Sequence, residues 1–312
     1  MNMKRIITLI FVQLVWASLA VAALEAVPVN LNISHGLLSN RCWQVSRLDD
    51  RTMLIGYPNV FAVYDGARSH PCPFNSRESL SIDGHETNSF SDSYGRLWIK
   101  KYKMAYVYDQ HARRFLHREE MQRLLPVVNL CDFFLDSDHS MVVYTKNGSL
   151  GFYDFRHAVR WVYKTKVPPV GATSIGGKRL VFLADASVLV FEGDDFVRKD
   201  ETHKRQSLPY SSIVCHALDK QNLLIASSQV GLLIYNVQTD KFAMADADAS
   251  SFVKILVDDS GQIFVVSTAG VKIYNRFIQL THHTSDIFLD RQISDATLDW
   301  QGGLWLATYL NG

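Results

Sequence analysis

Two pairs of adjacent carboxylates, Asp194-Asp195 and Asp258-Asp259, are the first residues in this chain whose types suggest chemistry. A glycosidase needs two carboxyl groups converging across one bond, whereas neighbours in a turn send their side chains apart. Both pairs therefore read as turn residues. Asp246-Ala247-Asp248 and Asp136-Ser137-Asp138 have the alternation of a calcium loop but lack its glycine and later glutamate, so they read as solvated turns. His282-His283 has no accompanying cluster of metal ligands and reads as an exposed inter-blade loop. The four cysteines, Cys42, Cys72, Cys131 and Cys215, form no C-x-x-C pair, which argues against a zinc or redox motif. Cys42 and Cys72 flank one repeat and are a candidate pair, while Cys131 and Cys215 read as small core residues on strands. Neither a catalytic constellation nor a cofactor site stands out.

The elements that would carry these residues are repetitive. Apolar segments begin at Met53, Leu97, Met141, Leu180, Leu223, Ile263 and Leu304, 39 to 44 residues apart. That is the length of a four-stranded propeller blade. Tyr64, Tyr108, Tyr153, Phe191, Tyr235 and Tyr274 follow 11 or 12 residues after six of these starts, each before an Asp, Glu or Asn. Tight turns such as Asp92-Ser93-Tyr94-Gly95 and Asp299-Trp300-Gln301-Gly302 precede the segments, with another apolar stretch upstream of each. The pattern gives four strands per repeat, A to D, with A innermost. It predicts an all-β, seven-repeat β-propeller with blades near 34–74, 84–118, 124–166, 167–202, 208–246, 249–283 and 284–312. The third-strand landmark of the seventh repeat would fall just past Gly312, so that blade is expected to be incomplete. The alternating stretch Val29-Asn30-Leu31-Asn32-Ile33 suits a closing strand, yet would have nothing to pair with there. The exposed edge predicts poor stability or association.

Composition sets outer limits. Hydrophobic residues make up 47% and charged residues 20%, enough for a packed core, and the formal net charge of +1 provides no basic field for nucleic acid. Lys4-Arg5, the apolar run 6–14 and Ala20-Val21-Ala22 read as an export signal over residues 1–22, with an uncleaved anchor as the alternative. No later run is long enough to cross a membrane. Residues 23–312 are then a single propeller placed in the periplasm.

At this point the residues carry a resemblance. The stretch from Asp299 to Thr308, DWQGGLWLAT, is similar to the core of the two-component regulator propeller repeat, and residues 92–99 resemble it in part. His35-Gly36-Leu37-Leu38-Ser39-Asn40, with Tyr64-Asp65-Gly66, resembles that family's opening repeat. The resemblance spans residues 29–312 and implies the periplasmic sensor domain of Bacteroidetes hybrid two-component systems, which respond to polysaccharide breakdown products. Members generally carry two propellers followed by a membrane helix, kinase, receiver and DNA-binding domain. This chain shows one propeller, so it reads as truncated after it, and kinase activity is implied only for a longer parent. A second propeller or a homodimer partner could accompany it.

Strand order places the A–B and C–D turns on one face and the B–C and D–A connections on the other. Ligand is expected on the second face. Sugars suit a flat aromatic beside planar polar donors, so Tyr57, Asn59, Tyr102, Asn147 and Tyr309 are the candidate binding residues, and Lys101 with Lys103 would suit an acidic sugar. The leading expectation is a sensor module for an oligosaccharide, without enzymatic activity. The alternative is a structural or protein-interaction propeller.

Overall fold

In the computed structural model of the protein, the residues described are 29–72, 87–101, 104–137, 139–156, 158–200, 213–284 and 292–309. The expected signal segment lies outside them. No helix among the described residues is long and apolar enough to cross a membrane.

Six antiparallel sheets of four strands each form blades. The first contains β1 (Gln44–Arg47), β2 (Met53–Gly56), β3 (Phe61–Tyr64) and β4 (Ser69–Cys72). The second contains β5 (Thr87–Ser91), β6 (Arg96–Lys101), β7 (Met104–Asp109) and β8 (Arg114–Phe115). The third contains β9 (Leu130–Ser137), β10 (Ser140–Thr145), β11 (Ser149–Tyr153) and β12 (Arg160–Lys164). The fourth contains β13 (Pro169–Ile175), β14 (Lys178–Leu183), β15 (Val188–Glu192) and β16 (Asp195–Asp200). The fifth contains β17 (Ile213–Ala217), β18 (Asn222–Ser227), β19 (Gly231–Asn236) and β20 (Lys241–Asp246). The sixth contains β21 (Phe252–Val257), β22 (Ile263–Ser267), β23 (Gly270–Tyr274) and β24 (Leu280–His283).

The expectation of seven blades is corrected to six. β25 (Ile293–Leu298) and β26 (Leu304–Thr308) form a two-stranded ribbon between the sixth and first blades. A blade needs a third strand on the outer edge of β26, and no described residue supplies one. Residues 29–32 form no strand either. Asn32 instead caps a short 3-10 turn, Ile33–His35, through Ser34 N–H to its Oδ1 at 2.9 Å. This local side-chain bond competes with strand formation, and Val29 and Ile33 stay exposed.

The second strands explain the unbroken apolar runs. Alternate side chains of a strand point to opposite faces of its sheet. Leu97 and Ile99 therefore pack toward the first blade, while Trp98 packs toward the third. Leu180 and Phe182 meet the fifth blade, whereas Val181 and Leu183 meet the third. Each hydrophobic cluster is thus shared by two consecutive sheets. First strands lie against one another from the third blade round through the sixth blade and the ribbon to the first and second blades, with A innermost.

The turns follow from side-chain chemistry. Asp92 Oδ1 accepts the Tyr94 and Arg96 amides, and its Oδ2 accepts Arg96 Nε at 2.7 Å and Trp98 Nε1 at 2.8 Å. Asp299 does the same for the Gln301 and Gly303 amides and for Trp305 Nε1 at 2.9 Å. The Asp-to-Trp spacing of six residues is therefore a hydrogen bond folded into each hairpin. At the C–D turns, Asp65, Asp109, Asn236 and Asn275 each accept two backbone amides.

Two local features depart from the sequence reading. Residues Arg118–Leu124 form a helix, α1, between the second and third blades. Glu120 fixes its start by accepting His117 N–H at 2.8 Å and the guanidinium of Arg114, while Met121 and Leu124 pack against the Trp98 cluster. All four cysteines are free. Cys42 leads into the innermost strand of the first blade and Cys72 ends its outermost one. Three strand spacings of about 4.8 Å separate such positions, well beyond disulfide reach.

Candidate functional site

Antiparallel order within every blade puts the B–C turns and D–A connections on one face. Of the candidate binding residues, Tyr57 and Asn59 share the B–C turn of the first blade, Asn147 lies in that of the third, and Tyr309 follows β26. Tyr57 follows β2, but its amide donates to Val60 O at 2.8 Å, which holds the residue in register with the strand. Its ring is 1% exposed, and its hydroxyl meets Ser69 Oγ at 2.9 Å. Burial pushes its phenol above the ordinary tyrosine value, against the opposing Ser69 hydrogen bond. Asn59 is exposed at the tip of the same turn. Asn147, also exposed, caps its own turn by accepting Thr145 Oγ1 and the Ser149 amide. Tyr309 is half-buried beside the cluster of the first and second blades. Lys101 ends β6, and Tyr102 and Lys103 lie outside the described residues.

A cleft of about 220 Å³ opens on this face between the fifth and sixth blades. Asp248 and Ser250 reach it from the connection after β20, and Phe252 starts β21. Ser267 ends β22, Lys272 lies on β23, and His283 ends β24. Lys272 Nζ donates to Asp246 Oδ2 and Asp248 Oδ2, each at 2.8 Å, and Tyr274 OH donates to the same Asp246 oxygen at 2.8 Å. Burial raises Asp246, but the hydrogen bonds from Lys272, the Asp248 amide and Tyr274 outweigh it and hold the carboxyl below its usual value. The Asp246-Ala247-Asp248 turn is thus an ion-pair partner of Lys272. Among the described residues, no group of three or more His, Cys, Asp or Glu side chains is placed to hold a metal. His282 and His283 are exposed on a strand, β24, where a loop was expected.

The ring axis carries a second polar group that the sequence did not single out. Asp295, 1% exposed, accepts Val45 N–H at 3.1 Å, Ala296 N–H at 2.8 Å and Lys254 Nζ at 3.0 Å. Lys254 also reaches Ser89, which joins Ser46 at 2.8 Å, and Ser46 takes a bond from Gln44. Gln44 Oε1 is buried with no hydrogen-bond partner among the described residues. These residues come from the innermost strands of the first, second and sixth blades and from the ribbon, so they lock four elements at the centre.

Most of the other carboxylates that the sequence singled out have partners. Asp194 pairs with Arg160 at 2.8 Å and Arg179 at 3.1 Å, while Asp195 stays mostly exposed. Asp136 is buried against Ser140, Ser174 and Arg179. Burial pushes its carboxyl up, partly offset by those partners. Asp258 accepts the amides of Ser260 and Gln262 within its own turn.

Comparison with solved structures gives the propeller fold. The extracellular domain of BT3049 from B. thetaiotaomicron, provisionally a hybrid two component system, superposes with a TM-score of 0.62 at 15% identity, covering 91% of this chain and 41% of that one. The extracellular domain of BT4673 from the same organism gives 0.64 at 14% identity, covering 91% and 39%. The chain therefore spans about two fifths of the length of these neighbours. The WD40 propeller domain of Doa1 gives 0.62 at 11% identity, covering 87% and 90%. No family profile matches the sequence, and no curated protein matches it. The first two neighbours have the fold that the sequence resemblance implied.

Proposed function

We propose that this chain is a ligand-binding sensor module of a two-component regulatory system, exported from the cytoplasm, that recognises an oligosaccharide and carries no kinase or hydrolase chemistry itself. The observation that carries this reading is the likeness of nearly the whole chain to extracellular domains of two-component systems. The Asp299-to-Trp305 hairpin supports it, because the motif that resembles the family repeat has a physical role in this fold. The side-chain inventory agrees. The carboxylates described above cap turns or pair with Arg and Lys, and the B–C turns and D–A connections present Asn59, Asn147 and Asp248, with Lys272 beside Asp248 on β23. A second reading, a protein-interaction propeller, draws on the Doa1 domain, whose superposition has the same TM-score as that of BT3049. Fold alone does not separate the two.

A glycan array followed by calorimetry on the exported chain tests the proposal. The expected result is one class of oligosaccharide bound and recovered intact. Release of shortened products would contradict a sensor without turnover, and absence of any glycan binding would put the interaction propeller ahead.

A further inference from the structure

We infer that the cleft between the fifth and sixth blades is the subsite for a single uncharged sugar ring, the terminal unit of a neutral oligosaccharide. The inference rests on the sensor reading above and adds a location, a charge and a size. Asp246 is largely occupied: one oxygen takes Lys272 and Tyr274, and the other takes the Asp248 amide. Asp248 is different. Its Oδ2 meets Lys272, and its side chain is 56% exposed at the cleft mouth. An ammonium carries three donors, and the two carboxylates take two from Lys272. A spare acceptor on Asp248 and a spare donor on Lys272 then stand side by side, the pair that two neighbouring hydroxyls of a sugar would satisfy.

The rest of the lining fits the same ligand. Ser250, Ser267 and His283 bring further hydroxyl and ring-nitrogen groups, while half-buried Phe252 supplies an apolar surface for the C–H face of a pyranose. Two carboxylates against one ammonium leave the cleft negative, which disfavours a uronic acid. Its volume, about 220 Å³, lies below the roughly 300–1,000 Å³ of pockets for larger ligands, so it takes one ring and not a chain. The acidic sugar suggested by Lys101 and Lys103 is a different ligand.

The test uses the full chain with cello-, xylo- and malto-oligosaccharides as neutral probes and oligogalacturonates as acidic ones, read by calorimetry. At least one neutral series should bind, with no binding of the acidic one. D248N should weaken the neutral ligand about tenfold or more, as expected for a lost hydrogen bond to a charged group. H283A should weaken it less, and R51A, in the exposed A–B turn of the first blade on the opposite face, should leave it unchanged. Equal melting temperatures would show that the variants fold. Unchanged affinity in both D248N and H283A, or preference for the acidic series, would overturn the cleft assignment and leave the sensor reading standing. Absence of binding to every glycan would overturn both.

Discussion

Replacing Trp98 by Phe keeps an aromatic ring in a fully buried site but removes the indole N–H that donates to Asp92. A hydrogen bond to a charged group contributes about 1.5–3 kcal/mol. Asp92 keeps the Tyr94 and Arg96 amides and Arg96 Nε, so the low end of that range applies. Loss of ring volume beside Phe90, Phe133 and Phe155 adds about 1 kcal/mol. W98F should therefore cost roughly 2.5–3 kcal/mol. The equivalent W305F removes a bond of similar length to Asp299, but in a half-buried ribbon where water can replace the donor. Its cost should be about 1 kcal/mol or less. Urea unfolding followed by circular dichroism compares the two midpoints at constant slope. Equal costs, or a larger cost for W305F, would refute the claim that burial of the hairpin bond sets its value.

Two further outcomes are expected besides the binding experiments already described. Burial holds His216, on β17, below the ordinary histidine value. Its unfolded form therefore binds a proton more readily, and its contribution to stability is complete above the unfolded value of about 6.5 and declines as pH falls through it. H216Q should flatten the stability profile between pH 7 and pH 5 relative to wild type, and an identical slope would remove His216 from the account. A Cβ added at Gly36 would lie 2.0 Å from Ala67 O at a φ of 88°, whereas at Gly66, with φ 95°, it meets nothing within 4 Å. G66A should cost about 1–2 kcal/mol from backbone conformation alone, and G36A clearly more; thermal melts that rank them the other way would contradict the clash.

The repeat was legible because each blade spells out its turns. Asp92, Asp258 and Asp299 mark A–B hairpins, and the residues after Tyr64, Tyr108 and Tyr235 mark C–D turns, since the same side-chain bonds close them all. The blade count was legible only in part: the last repeat's second strand looks like the others, and only the spacing of the third-strand landmarks set that repeat apart. Tyr57 reads as a loop tip one residue past a strand, yet its turn keeps it in register and inside the blade. Helix α1 escaped notice because seven residues carry too little periodicity to register. The cleft was invisible for a different reason. Asp248 and Ser250 look like an ordinary connection, Ser267 and Lys272 look like hairpin residues, and only the packing of two sheets brings them together. Lys254 and Asp295 meet at the axis across 41 residues for the same reason.

Because each apolar cluster among the described residues is divided between consecutive sheets, no described blade holds a core of its own. Cutting out one blade would strip a face from each of two neighbours and leave both wet. The shared clusters should make the blades melt together in one cooperative transition. The same arrangement limits how such a chain can change over generations. Loops on the rim can be rewritten freely. A strand B residue, in contrast, answers to whichever neighbouring sheet its side chain faces, so the interior evolves in matched pairs of surfaces.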